Sequence, residues 1–520
     1  MLLIVSDWLK SYLIDILLWK QERITPMKKN GLLIFAALLI VLALTMPSPA
    51  WQGRMAGVGD ASGLIEDESD YLIHPAAIAS GKGLNFYGNY RLTYDKATRL
   101  DYTLKLPTIP DVFAYSADGK TVKNELQVGT AFNAGAGRMG IFLEYTLSRG
   151  AYDGVENYNF GALYDRAFIE LKDNLDNLAV RLIYGLPVNG VKLGGELRVA
   201  YRSEEQEASF TNFGMKNYPW AAENLPDLNL YPYGIPYKSR YWEAQGKASA
   251  QGKLGQSKYA FTLKGGLPFA SNNEYEYTGG PVTKANAEGN VKGFHVGGDL
   301  WIRVPVSGRF ELPFVVAAGY EDKKRDGSGT TSWLSWTNYE NENKSVFMKI
   351  GGGADYLPAK GTKVAAGLYY DFISAKKNIS FVDVITPAAV YVDNYTDMPE
   401  YTEHRLTLKA LAEKELSSAV ALRCGVDVFY GSVKSDYRYA AAFNGFPFIP
   451  LNVATSGSNA GVNASVGATF KLDGVILEPF INAGYVKYET SGRGTFSPFP
   501  ADLEFNKTNW IIGGGLSVKL

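Results

Sequence analysis

The chain has 520 residues, 46% of them hydrophobic, with 52 Lys and Arg against 53 Asp and Glu, so it offers no basic excess for a nucleic-acid partner. Its body holds no apolar run long enough for a spanning helix, which excludes a helical membrane protein. One cysteine, Cys424, cannot form an internal disulfide, and three well-separated histidines give no helical or finger-like metal spacing.

At the N-terminus, Lys28 and Lys29 precede the apolar stretch Leu32 to Leu44, and Pro47, Ser48, Pro49 and Ala50 follow. A positive start, a short apolar core and a small-residue ending make residues 27–50 a secretory signal peptide, with cleavage expected after Ala50. Met27 is then the expected start of translation, which leaves residues 1–26 as an untranslated or disordered extension. The competing reading, a membrane-surface helix from Leu2 to Trp19, lacks a clean polar face because of Asp7, Lys10 and Asp15.

Residues 51–82 precede the first clear strand. Gly57 and Gly59 allow backbone conformations closed to other residues and Pro75 stiffens the exit, as a compact segment threading a lumen needs. An ordinary periplasmic tail, whose glycines only make a turn, is the alternative.

From Val191 onward the chain alternates apolar and polar residues. Val191, Leu193, Leu197, Val199 and Tyr201 fall on one face, with Lys192, Glu196, Arg198 and Arg202 on the other. One face suits lipid and the other water. In hydrocarbon every backbone polar group must be paired, so such strands belong to a closed barrel. Segments of roughly ten to fourteen residues are separated by short turns at Leu186 to Gly190, Leu254 to Ser257, Val306 to Arg309, Leu357 to Thr362, Glu413 to Ser417 and Leu472 to Gly474. Long connections are expected at about 203–239, 268–289, 323–343, 376–400, 433–459 and 489–506. Six candidates before Val191, namely Leu84 to Tyr94, Leu100 to Leu106, Val122 to Phe132, Met139 to Ser148, Tyr158 to Leu171 and Leu178 to Gly185, must contribute four or six strands. The expected fold is all-β: a transmembrane antiparallel barrel of about 16 strands (about 14–18), spanning residues 83–520. The alternating apolar ending Leu516, Val518, Leu520 suits a strand handed to barrel-assembly machinery, although Leu520 stands where many such proteins end in an aromatic residue.

Extending the period of two assigns a lumen-facing, pore-lining set: Arg138, Glu144, Lys192, Glu196, Arg198, His295, Asp299, Arg303, Lys349, Asp355, Arg405, Lys409, Glu413, Arg423 and Asp427. Each such charge on the lipid face would cost about 2 to 4 kcal/mol at the midplane. Their plain role is to satisfy one another across a wet interior; selective recognition is the alternative. Cys424 lies in the outward series Val420, Leu422, Val426, Val428. Aromatic residues crowd the external connections, as in Trp220, Tyr231 and Tyr233, in Trp333, Trp336 and Tyr339, and in Phe443, Phe446 and Phe448. They either capture apolar cargo or pack the loops. No nucleophile–base pair, phosphate loop or cofactor motif is present, so neither an enzyme nor a cofactor is expected.

The stretch from Arg54 to Ala79 resembles the N-terminal signature of the FadL-type long-chain fatty acid transporters and their relatives. Ala56, Gly57, Val58, Gly59 and Ala61 match that family's glycine-rich start, Asp67 and Ser69 its acidic and serine positions, and Pro75, Ala76 and Ala79 its ending. His74 stands where the family has asparagine, Ala77 where it has glycine and Ile78 where it has leucine. The resemblance implies that residues 51–82 form a plug inside the barrel, with Gly57, Gly59, Asp67, Ser69, His74, Pro75 and Ala76 as its motif. It also implies passive uptake of hydrophobic small molecules across the outer membrane of a Gram-negative bacterium. A general or solute-selective porin is one alternative, and a scaffold barrel docking a periplasmic partner protein is another. Outer-membrane lipid and a small-molecule cargo are the expected partners.

Overall fold

A strand's side chains alternate between two faces for as long as its backbone stays paired, and here pairing runs well past the segments the alternation marks. The computed structural model describes residues 53–57, 63–106, 109–159, 164–211, 233–234, 237–279, 283–330, 335–386, 389–443, 446–473, 475–496 and 499–520. Its strands are β1 (Asn85–Leu106), β2 (Ile109–Ala134), β3 (Gly137–Asn159), β4 (Tyr164–Val188), β5 (Val191–Thr211), β6 (Tyr233–Gly234), β7 (Tyr237–Leu254), β8 (Ser257–Gly279) and β9 (Thr283–Gly289). They continue with β10 (Val291–Ser307), β11 (Phe310–Thr330), β12 (Ser335–Ala359), β13 (Thr362–Thr386), β14 (Ala389–Glu415), β15 (Val420–Phe443), β16 (Phe446–Leu472), β17 (Val475–Phe496) and β18 (Phe499–Lys519). Sixteen of them close an antiparallel barrel, β1 pairing with both β2 and β18. The short β6 and β9 only extend the pairing between β5 and β8 and between β8 and β11.

Four strands, not six, precede Val191: Leu84 to Tyr94 and Leu100 to Leu106 are parts of β1, and Leu178 to Gly185 completes β4. The expected long connections are largely strand as well; β11 and β12 pair from Phe310↔Tyr356 to Gly327↔Tyr339, across most of 323–343. A strand such as β12, 25 residues long, rises roughly 60 Å at about 3.3 Å per residue and a tilt of about 40°, twice the ~30 Å hydrocarbon core. The barrel therefore projects beyond the membrane at the end away from its short turns. The start of β1 and the C-terminal residue lie at the short-turn end, where Phe86 and Leu520 exchange backbone hydrogen bonds of 2.9 and 3.0 Å.

The outward face carries an apolar band. Val346, Met348 and Ile350 on β12, Leu406 and Leu408 on β14, and Ile512 and Leu516 on β18 are exposed, as is Cys424. On β10, Phe294 and Val296 face out while Trp301 and Arg303, of the opposite parity, are buried inside.

Ahead of β1, a short helix α1 (Gly53–Gly57) and two 3₁₀ turns, Glu68–Leu72 and Pro75–Ser80, pack against the inward faces at the short-turn end. Three apolar clusters hold this segment. Met55, Leu64 and Ile65 meet Ala365 and Leu411; Ile73 meets Ala260, Trp301, Val315 and Tyr369; Tyr71 and Ile78 meet Tyr87, Ala131, Phe142 and Ile183. Leu64 and Ile65 are both 0% exposed, and each such burial stabilises by about 1.5–3 kcal/mol.

Candidate functional site

The N-terminal segment is locally built by its own polar residues. Asp67 caps the first turn, accepting from Ser69 N at 2.9 Å and Ser69 Oγ at 2.6 Å, while Asp67 N donates to Asp70 Oδ2 at 3.0 Å. The reciprocal bonds satisfy donors that a turn's start leaves open. Pro75 occupies the first position of the second turn, where its missing N–H costs nothing. Gly57 closes α1; Gly59 lies outside the described residues.

Segment and wall are joined on opposite sides of the lumen. Arg54 donates from Nε and Nη2 to the Glu413 carboxylate at 2.8 and 3.2 Å and from Nη1 to Asp67 at 3.3 Å. Burial opposes its charge, but Glu413 and Asp67 outweigh that and hold the guanidinium above its ordinary range. Across the lumen, Lys519 pairs with Glu68 at 2.5 Å, Lys192 donates to Ser80 Oγ at 2.5 Å, and Arg138 donates to Gly83 O at 2.7 Å. The Leu72 carbonyl accepts from Lys247 at 2.5 Å and from Arg181 at 3.4 Å. Ala76 N donates to Ser249 Oγ at 2.6 Å.

His74 is 1% exposed. Its Nδ1 lies 2.7 Å from Thr262 Oγ1 and its ring stands edge-on to Trp301 at 4.3 Å, whereas Nε2 has no protein partner. Burial holds the imidazole down to about 4, so it is neutral at ordinary pH. Beside it Glu66, Asp70, Gln251, Lys258 and Arg303 line a small, partly open cleft. There burial pushes the Asp70 carboxyl up to about 8, against the hydrogen bond it accepts from Asp67 N.

The remaining expected inward residues form ion pairs within the wall, mostly with residues outside the expected set. Glu144 meets Arg181 at 2.8 Å and Arg198 at 2.9 Å, and Glu196 meets Arg181 at 3.4 Å and Lys247 at 3.1 Å. His295 lies 3.5 Å from Glu243, Asp299 2.9 Å from Lys264, and Arg303 3.3 Å from Asp355. Asp371 receives both Lys349 at 3.9 Å and Arg405 at 3.4 Å. Lys409 meets Asp427 at 3.6 Å, and Arg423 meets Glu478 at 3.0 Å. Among the described residues no cluster of His, Cys, Asp and Glu is placed to hold a metal ion. Trp220, Tyr231 and Trp333 lie outside the described residues, and the side chains of Tyr233, Trp336, Tyr339, Phe443, Phe446 and Phe448 fall outside them too.

Sequence reasoning missed the socket. A Cβ on Gly194 would strike the Pro75–Ala76 peptide, and one on Gly185 would come within 2.7 Å of Ile78 Cγ2. It also missed Thr262, Ser249, Arg181 and Lys247, the wall's polar contacts to the segment. The available signal was the run of small inward positions near the short turns of β4, β5 and β7.

No family model matches the chain, and no curated protein matches it. Among solved structures, a Pseudomonas aeruginosa FadL homologue is 11% identical with a TM-score of 0.42, over 91% of this chain and 99% of its own. The Pseudomonas putida toluene transporter TodX is 11% identical with a TM-score of 0.36, over 91% and 98%. A CymD monoaromatic hydrocarbon channel is 10% identical with a TM-score of 0.31, over 89% and 97%. By its closed sheet and outward apolar band the chain is an outer-membrane β-barrel, similar over most of its length to structures of the FadL type.

Proposed function

We propose that the protein is a passive outer-membrane channel for hydrophobic small molecules, with residues 51–82 as a plug at the periplasmic end. The supporting observation is the seating of residues 63–80 across the lumen, tied to Glu413 on one side and to Lys192, Lys247 and Lys519 on others. A segment so held leaves little room for bulk hydrophilic flow. Above it, inward rings sit beneath cations, as Phe347 beneath Lys264 at 5.5 Å and Phe429 beneath Arg405 at 5.4 Å, which gives apolar surface along a charged wall. The pore-lining role of Glu144, Arg198, His295, Asp299, Arg303, Lys349, Asp355, Arg405, Lys409, Arg423 and Asp427 belongs to the same proposal, as does export directed by residues 27–50.

The mixed charges favour a second reading, a solute-selective porin whose N-terminal segment only narrows the mouth. Deleting residues 53–80 removes no strand and decides between them. The truncated barrel should still migrate as a heat-modifiable species, yet pass ions in planar bilayers far more freely than the intact chain. Equal conductance from the two folded proteins would reject the plug and favour the porin.

A further inference from the structure

At the seam between the N-terminal segment and the wall, three buried polar atoms converge. His74 of the segment, Gln251 on β7 and Arg303 on β10 line one cleft there. The alternation that turns Ser249 inward to Ala76 N turns Gln251, two residues farther along the same strand, inward as well. His74 Nε2, Gln251 Oε1 and Arg303 Nη2 are all buried and have no hydrogen-bond partner among the described residues. Buried polar atoms are almost always bonded, so three unmet ones facing a single cleft point to an occupant rather than to loose packing.

The surrounding charges say what kind of occupant fits. Arg303 pairs with Asp355 and Glu311, each at 3.3 Å, Lys258 with Glu66 at 3.0 Å and Glu311 at 3.5 Å, and Lys363 with Asp355 at 3.0 Å. Three cations thus face three carboxylates, which leaves nothing over for an ion. His74 is neutral, and burial keeps Asp70 protonated up to about 8. With Thr262 Oγ1 donating to Nδ1, His74 carries its proton on Nε2. The cleft then offers two donors, His74 Nε2 and Arg303 Nη2, and one acceptor, Gln251 Oε1. A hydroxyl accepts two hydrogen bonds and donates one, the same count. Ala77, Ala260 and Trp301 line the rest of the cleft and give it an apolar side.

We propose that this seam binds a small neutral hydroxyl compound, an alcohol or a phenol, whose oxygen accepts from His74 Nε2 and Arg303 Nη2 and donates to Gln251 Oε1 while its apolar body lies against Trp301. Because His74 belongs to the segment and the other two residues to the wall, the site exists only when the segment is docked. Its ligand therefore stabilises docking in proportion to occupancy. The site requires the docked segment but no particular cargo of the barrel.

The test uses the full chain folded in detergent, with protease cleavage within residues 63–82 as the readout. Phenol and toluene are the probes, alike in ring and size and different in the hydroxyl. At ten times its half-saturating concentration phenol should slow cleavage about tenfold, and toluene should not. Gln251→Leu removes the acceptor and should raise the phenol concentration needed at least about tenfold, with cleavage in the absence of phenol as the control for docking. Slow cleavage that phenol leaves unchanged, or that phenol and toluene reduce alike, would overturn the site and leave water as the cleft's occupant. Wild-type phenol dependence in Gln251→Leu would overturn it too. Rapid cleavage of the wild-type chain without any probe would remove the docked segment itself, and with it both this site and the plug.

Discussion

At the short-turn end, the inward faces of β4, β5 and β7 are cut back to Gly185, Gly194 and Ser249, and residues 63–80 fill the space. At the far end the inward faces keep Glu204, Lys323, Arg325 and Tyr241, which bond to one another: Arg325 to Glu204, Lys323 to the Tyr241 hydroxyl at 2.6 Å and Tyr241 OH to Glu204 at 3.0 Å. Both regions are inward and polar, so polarity alone does not tell their work apart. What differs is the partner. Below, wall cations also donate to backbone carbonyls of the N-terminal segment, Leu72 O and Gly83 O, while Lys247 keeps Glu196 as a partner within the wall; above, the wall residues bond only to one another among these contacts.

The largest effect should come from filling the socket. Gly194→Val places side-chain atoms where the Pro75–Ala76 peptide lies, so bilayer conductance should rise toward that of the truncated barrel. Gly195→Val, on the outward face where a Cβ meets only Lys247 O at 3.8 Å, should leave conductance low. If both variants conduct alike, the socket does not seat the segment.

A core deletion sharpens the contrast. Leu64→Ala should weaken docking by about 3 kcal/mol, measured as faster protease cleavage within residues 63–82 of the folded barrel. Leu503→Ala, at an inward position of the far end that is also 0% exposed, should lower barrel stability without changing that cleavage. Smaller again is Glu413→Gln, which strips Arg54 of its bidentate acceptor and should loosen the segment by about 1–2 kcal/mol. Glu204→Gln is its counterpart above, and cleavage of residues 63–82 should not respond to it.

The same comparison explains what could be read in advance. Within the membrane one face must be apolar, so β5 and β10 announce themselves by alternation. Beyond it both faces are wet: β12 carries Glu340, Glu342 and Lys344 outward and Asn343 and Ser345 inward, and the period vanishes although the ladder continues. That is why 323–343 reads as a loop. Pro75 was legible because turn chemistry is local, whereas Asp67 and Ser69 entered only through the family resemblance and their cap is visible only in the fold. Gly185 and Gly194 were not legible, since an inward glycine shows no sign in sequence of what will lie over it.

The smallest effect is set by pH, and its sign follows from two groups at the cleft. Docked, Asp70 holds its proton up to about 8 against an ordinary 3.8, so its contribution favours docking at low pH and is lost as pH rises from 3.8 through 8. Docked, His74 stays neutral down to about 4 against an ordinary 6.5, so its contribution is full above 6.5 and is lost as pH falls through 4. Between about 4 and 6.5 the docked state binds one proton more at Asp70 and one fewer at His74, and the two slopes cancel. From 6.5 to 8 only Asp70 acts, so docking should weaken by at most about 2 kcal/mol, less for a carboxyl that keeps some water contact. Cysteine labelling at Ser69→Cys in a Cys424→Ser background should thus be flat from about pH 4.5 to 6.5 and quicken toward pH 8. Asp70→Asn should give the mirror image, flat above 6.5 and quickening as pH falls, because His74 alone then titrates. Should the Asp70→Asn variant keep the wild-type profile, the carboxylate is already ionised when docked and the cleft is wetter than its geometry indicates.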